Sequence, residues 1–310
     1  DLLIMKLKGK LIMSAAALAA CAATLTSTTY AWYTTNTTVD ASNVSGTTAD
    51  SGDASILISQ DPKEASGKKT WASSVSVTKE NQKNSTSLIP LEYTSTQFQA
   101  LNSTSANTDG YLEFKLYFKT AKVNNGEGTT KLYLKTFKAT NAASSLEESD
   151  NLIYTGVEAG KDYSKGLDAG APTYKIDAAR CLGLVMDSDT VTDLKSHAFD
   201  VTEGTLKEDS AKNDGINAIT YYNSVMNPAE PLTAEGHNLK TLGAPDSKGT
   251  NALEIAQLPN DGTETYVTFK VYLNGWDKYC FDACKGQTFN FEIAFTSDAA
   301  LAATCNLASK

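Results

Sequence analysis

Few residues in this 310-residue chain have types and spacings suited to chemistry. Four cysteines follow residue 31: Cys181, Cys280, Cys284 and Cys305. In an exported chain an even set of cysteines points to disulfides, and four allow three pairings. Cys280 and Cys284 are four apart, so one helical turn would place both thiols on one face. A zinc site would need four convergent ligands, and neither His197 nor His237 is near these thiols in sequence. The spacing also differs from the Cys-x-x-Cys of thiol-exchange catalysts. The four are therefore read as candidate disulfide or buried thiol residues, with the pairing open.

Asp187-Ser188-Asp189 with Asp193 has the opening spacing of a calcium loop. It lacks the glycine at position six and the acid at position twelve, which excludes an EF-hand and leaves only a looser calcium turn. No cofactor is assigned. His197 and His237 are read as exposed or locally satisfied. His-Glu-x-x-His, Gly-x-Ser-x-Gly and a Walker loop are all missing, so the chain is read as non-catalytic. A hydrolase's carboxylate pair leaves no linear signature, because its members meet only in space. Trp71, Trp276 and the 14 tyrosines fit either a sugar-stacking platform or an ordinary β-sheet surface.

The elements that must position these residues follow from period-2 alternation. In 111–120, Leu112, Phe114, Leu116 and Phe118 alternate with Glu113, Lys115, Tyr117 and Lys119. Residues 130–138, 266–273 and 287–296 behave alike. Each pattern puts one face on a core and one in water, as antiparallel sheets do. Asn and Gly in 124–128 tolerate positive φ, so that stretch predicts a hairpin between the first two strands. Weaker strands are expected at 55–59, 75–78, 87–93, 152–155, 174–186 and 218–222. Short helices are expected at 190–198 and 251–258. The fold class is all-β, an antiparallel two-sheet sandwich, jelly-roll-like, because many short alternating strands must bury one face against a second sheet. One domain is expected over 54–310, with a loop-rich insertion at 202–262 and a polar segment at 32–53.

The start of the chain reads as an address. Asp1–Ile4, ahead of Met5, are set apart from the fold. Lys6, Lys8 and Lys10 precede an apolar run from Leu11 to Ala23. Small residues Thr29 and Ala31 then stand at the −3 and −1 positions of a cleavage site before Trp32. That order is the pattern of an export signal over residues 1–31. The run is too short to span a bilayer, and no later segment is long and apolar enough to do so. Leu18-Ala19-Ala20-Cys21 offers a second route, in which Cys21 is lipidated and becomes the first residue. Cleavage after Ala31 removes three lysines and Asp1 and takes the formal charge from −9 to −11. An acidic, evenly spread surface argues against nucleic acid and anionic membranes as partners.

The string Thr28-Thr29-Tyr30-Ala31-Trp32-Tyr33-Thr34 resembles the signal-peptide end of the TasA/camelysin family, exported proteins of Gram-positive bacteria cut by a SipW-type signal peptidase. Residues 267–273, then Asn274-Gly275-Trp276-Asp277-Lys278-Tyr279-Cys280, then the strand from Thr288 are similar to the last core strands of related secreted proteins. The two matches cover about a fifth of the chain. The resemblance implies a secreted jelly-roll subunit of a biofilm or surface matrix fibre. It also implies self-association, in which the N-terminal strand completes the next subunit's sheet. Residues 32–44 would be the donor. Some family members carry a metalloprotease label, but no matching metal motif exists here. The alternative is a cell-surface adhesin or carbohydrate-binding lipoprotein anchored through Cys21. Mass spectrometry of the secreted protein's N-terminus separates these routes. A start at Trp32 is expected, and an acylated Cys21 would select the lipoprotein instead.

Overall fold

The computed structural model describes residues 40–49, 56–60, 69–77, 82–84, 88–100, 103–121, 128–141, 148–149, 174–175, 178–200, 240–275 and 288–305. The strands in chain order begin with β1 (Asp40–Ala49), β2 (Ile56–Gln60), β3 (Ser74–Val77), β4 (Gln82–Asn84), β5 (Pro90–Tyr93) and β6 (Phe98–Ala100). They continue with β7 (Ala106–Asn107), β8 (Leu112–Thr120), β9 (Thr129–Asn141), β10 (Glu148–Ser149), β11 (Tyr174–Lys175) and β12 (Leu182–Ser188). The last are β13 (Ala198–Asp200), β14 (Lys240–Thr241), β15 (Glu254–Pro259), β16 (Thr265–Asn274) and β17 (Thr288–Thr296).

The protein is an all-β sandwich of two main sheets. Sheet A runs β15-β9-β17-β1-β3. Sheet B centres on β12-β16-β8, with β2 and β4 both on the far side of β8. A small β10-β11 ladder stands apart. The central pairs are antiparallel, as the alternation predicts. Three pairs depart from that: β1 with β17, β13 with β14, and β16 with β5 are parallel.

β8 shows how sequence becomes fold. Its residues are buried and half-exposed in strict alternation. Phe114, Leu116 and Phe118 point into the core, where they meet Val267, Phe269 and Phe295 among others. Phe118 meets Phe295 of sheet A edge-on at 4.8 Å, and Phe269 meets the same ring at 5.9 Å. Phe114 stacks on Phe269 at 5.3 Å. Such pairs add roughly 0.5–1.5 kcal/mol each beyond area burial.

Four expectations are corrected. The predicted hairpin through 124–128 does not form, because β8 lies in sheet B and β9 in sheet A. Each strand buries one apolar face, and those faces are satisfied by facing each other across the sandwich rather than by pairing edge to edge. The helix expected at 251–258 is instead strand β15. Its Ile255, Ala256 and Leu258 are buried, and a bulge between Glu254 and Ala256 keeps it in register with β9. β15 is thus a core strand inside the segment read as a loop-rich insertion at 202–262, which therefore does not extend to 262; residues 201–239 lie outside the described residues. The helix expected at 190–198 shrinks to one 3-10 turn, Leu194–Ser196. Ser196 donates its hydroxyl back to the Asp193 carbonyl at 2.6 Å, and the chain re-enters the sheet at Ala198. The strands expected at 152–155 and 218–222 lie outside the described residues.

Sheet B also carries a second, smaller core on its outward face. Leu91, Phe98, Tyr111, Val185 and Tyr272 pack there under the β5-β6-β7 ribbon. Phe98 contacts Tyr111 and Tyr272 at 4.3 and 5.0 Å. Tyr272, Gly183 and Asp200 occupy one row across β16, β12 and β13. The Tyr272 ring lies over Gly183, where an added Cβ would overlap the ring and its hydroxyl. Glycine is needed here for space. Gly183→Ala is expected to cost about 2 kcal/mol by overpacking, read as a lower midpoint in urea unfolding with an unchanged slope.

Burial raises the Tyr272 hydroxyl above the ordinary tyrosine range, and burial chiefly raises Tyr93 to about 12. In the unfolded chain both ionise near 10.0. Above that pH the unfolded state loses protons that the folded state keeps, so stability falls as pH rises. Alkaline unfolding is expected to set in above pH 10, shifting upward in Tyr272→Phe. Ultraviolet titration of tyrosinate alongside circular dichroism checks this; two tyrosines titrating normally while the fold persists would contradict it.

Candidate assembly strand and surface sites

β1 is the element of most functional interest because it overlaps the expected donor segment 32–44. It spans Asp40–Ala49, so the two share residues 40–44, and 32–39 lie outside the described residues. Its sequence, DASNVSGTTA, has one large apolar residue, Val44. Threonine suits extended backbone, but little in this segment would drive it into a core. What seats it is the ladder. It runs parallel to β17, from Asp40 opposite Thr288 to Ala49 opposite Thr296, with one irregularity between Ala41 and Asn43. On its other side Val44, Ser45, Gly46 and Thr47 pair antiparallel with Val77, Ser76, Val75 and Ser74. The strand near the start of the described chain thus lies between one near its end and β3. β17 in turn is held by β9.

The outer edges of sheet A differ. β15 runs across the ends of three sheet B strands, each of which supplies a threonine. Thr120, the last residue of β8, donates its hydroxyl to the Pro259 carbonyl at 3.1 Å. Thr265, the first residue of β16, donates to the Gln257 carbonyl at 3.3 Å. Thr190, just beyond β12, accepts from the Gln257 amide at 2.9 Å. Side chains therefore satisfy backbone groups that an edge strand would otherwise present to solvent. Sequence reasoning missed this arrangement. No local signal marks it, because the three threonines lie far apart in the chain and meet only in space.

The aromatic platform is partly present. Tyr117 of β8 and Tyr266 of β16 are opposed in register with ring centres 6.0 Å apart on the outward face of sheet B. Their faces are not open. Lys69 Nζ lies 3.3 Å from the Tyr117 ring centre and pairs with Glu264. Lys115 Nζ lies 4.3 Å from the Tyr266 ring, and Lys119 Nζ 4.4 Å from Trp71. Cation–π contacts at such half-exposed sites are worth about 0.5–1 kcal/mol each. A neutral sugar stacking here would first have to displace these ammonium groups. Trp276 lies outside the described residues.

The acidic turn is engaged with protein groups. The Asp189 carboxylate accepts from the Tyr266 amide, and the Asp189 amide donates to the Tyr266 carbonyl. Asp193 accepts from the Ser196 hydroxyl at 2.7 Å and stands 3.4 Å from His197 Nε2. Desolvation raises the Asp189 carboxyl above the ordinary range, against the pull of its backbone hydrogen bonds and of Lys115. Asp187 lies on β12, opposite Thr268 of β16. Among the described residues no three His, Cys, Asp or Glu side chains converge to hold a metal ion.

Cys181 and Cys305 are both buried in the main core, Cys181 midway along the sequence that builds it and Cys305 at its end. Burial pushes the Cys305 thiol up, with Lys240 opposing. The other candidate disulfide residues, Cys280 and Cys284, lie outside the described residues, as do His237, the cleavage residues Thr29, Ala31 and Trp32, and the lipidation candidate Cys21. Among the described residues no helix is long and apolar enough to cross a membrane. No family model, curated protein or solved structure matches the chain.

Proposed function

We propose that this chain is a secreted, non-catalytic structural subunit of a cell-surface or biofilm matrix, assembling by exchange of its N-terminal strand between copies. The observation that supports this reading best is the seating of β1. A strand with one large apolar residue is held between β17 and β3 by backbone pairing. Backbone pairing does not depend on side-chain identity, so an equivalent strand from a second copy can make the same ladder. The export signal and its resemblance to the TasA/camelysin family supply the compartment, and cleavage after Ala31 would release the segment that leads into β1.

The alternative, a glycan-binding lipoprotein acylated at Cys21, gains nothing from the aromatic cluster, whose rings lie under lysines. The test is assembly of the cleaved protein starting at Trp32. Filaments are expected by electron microscopy, and deletion of residues 32–49 is expected to abolish them. Protein that stays monomeric at high concentration with its free N-terminus would sink the fibre reading.

A further inference from the structure

Among the described residues, the edge of sheet A opposite β15 has no comparable side-chain seal. At Ala72 the chain still borders sheet B, exchanging backbone bonds with Ile58 at 2.7 and 3.1 Å. Two residues later it has crossed into sheet A as β3. From Ser74 to Val77 it pairs with β1 on one side. On its other side, among the described residues, its amides and carbonyls make no backbone hydrogen bond. The usual guards of an edge strand are missing: Ser-Val-Ser-Val contains no proline and no charge, and its register with β1 contains no bulge.

Charge and self-complementarity point to a second copy. Cleaved after Ala31 the chain carries −11, so most approaches between two copies set like charges together. β3 is a neutral stretch on a sheet edge, with Ser74 and Ser76 exposed and Val75 half-buried against the core. Two copies meeting there set no like charges against each other along the seam, and an antiparallel strand paired with itself is automatically complementary.

We propose that β3 is a homophilic docking edge, at which two copies pair β3 to β3 about a two-fold axis and join their five-stranded A sheets into one continuous sheet. Such a contact is isologous and closes at a dimer, whereas exchange of β1 is heterologous and propagates. The two interfaces use different strands, so a filament could carry both.

The experiment is sedimentation of the cleaved full chain over a concentration series, on supernatant cleared of filaments, with hydrogen exchange read at residues 74–77. The wild type is expected to show a reversible monomer–dimer equilibrium, with protection of those amides growing with concentration. Ser76→Lys puts an ammonium beside the edge without touching the core. It is expected to weaken dimerisation at least tenfold, with circular dichroism and melting temperature unchanged. Ser74→Lys serves as a second variant should the first perturb folding. A wild type that remains monomeric throughout the series, or a dimer that both lysine variants leave intact, overturns the proposal. Filaments that persist in Ser76→Lys while the dimer is lost would separate this edge from the exchange of β1.

Discussion

The contact of Phe118 and Phe269 with Phe295 is the interaction on which the rest of the fold depends. It is where sheet B meets sheet A. Neither sheet could stand alone, since each carries one face of large apolar side chains that water rejects. Once those faces meet, every strand has only one acceptable register, because a slip of one residue would turn phenylalanines outward and lysines inward. The outward residues are thereby placed as well. Tyr117 and Tyr266 oppose each other, Lys115 and Lys119 reach over aromatic rings, and Glu113 stands 3.7 Å from Lys270. The surface of sheet B is a consequence of how its interior is filled.

The same dependence explains what could be read in the sequence. β8, β16 and β17 were legible to within about a residue at each end, because alternation with period 2 is imposed by the pleat itself. Their assignment to sheets was not legible. An Asn- and Gly-rich stretch between two strands is compatible with a hairpin and with a crossing between sheets alike, so its composition does not say which sheet the next strand joins. β15 misled for a related reason. Leu253, Ile255 and Leu258 satisfy a helical spacing loosely and a bulged strand loosely, and only the ladder with β9 decides between them. Of the ribbon β5-β6-β7 only β5 fell within an expected strand, 87–93, and its outward core had no signal, because Tyr272 needs Gly183, far away in sequence, to lie flat.

For the candidate sites the balance is poorer. The family resemblance pointed to the N-terminal segment, and β1 overlaps it, but nothing in DASNVSGTTA specifies a parallel seat beside β17. The threonines that seal β15 carry no local mark. Trp71 was visible as an aromatic, yet the lysine that covers it comes from β8, and cross-strand neighbours cannot be seen in one linear pattern.

The weakness of β1 as a sequence bears directly on the proposed assembly. A strand anchored by several phenylalanines would cost several kcal/mol to remove, and would stay in its own subunit. β1 has one large apolar residue, Val44, and its ladders with β17 and β3 supply backbone hydrogen bonds, each worth about 1 kcal/mol net. Those bonds are the same whether the strand belongs to the subunit or to its neighbour. What separates the two arrangements is effective concentration. The connection from Ala49 to Ile56 is short, which holds the strand near its own seat at an effective concentration on the order of millimolar. On the proposed reading the closed subunit is therefore the default at low concentration. On the same reading exchange takes over only where the protein is concentrated to comparable levels, so the length of one short connection sets when assembly begins.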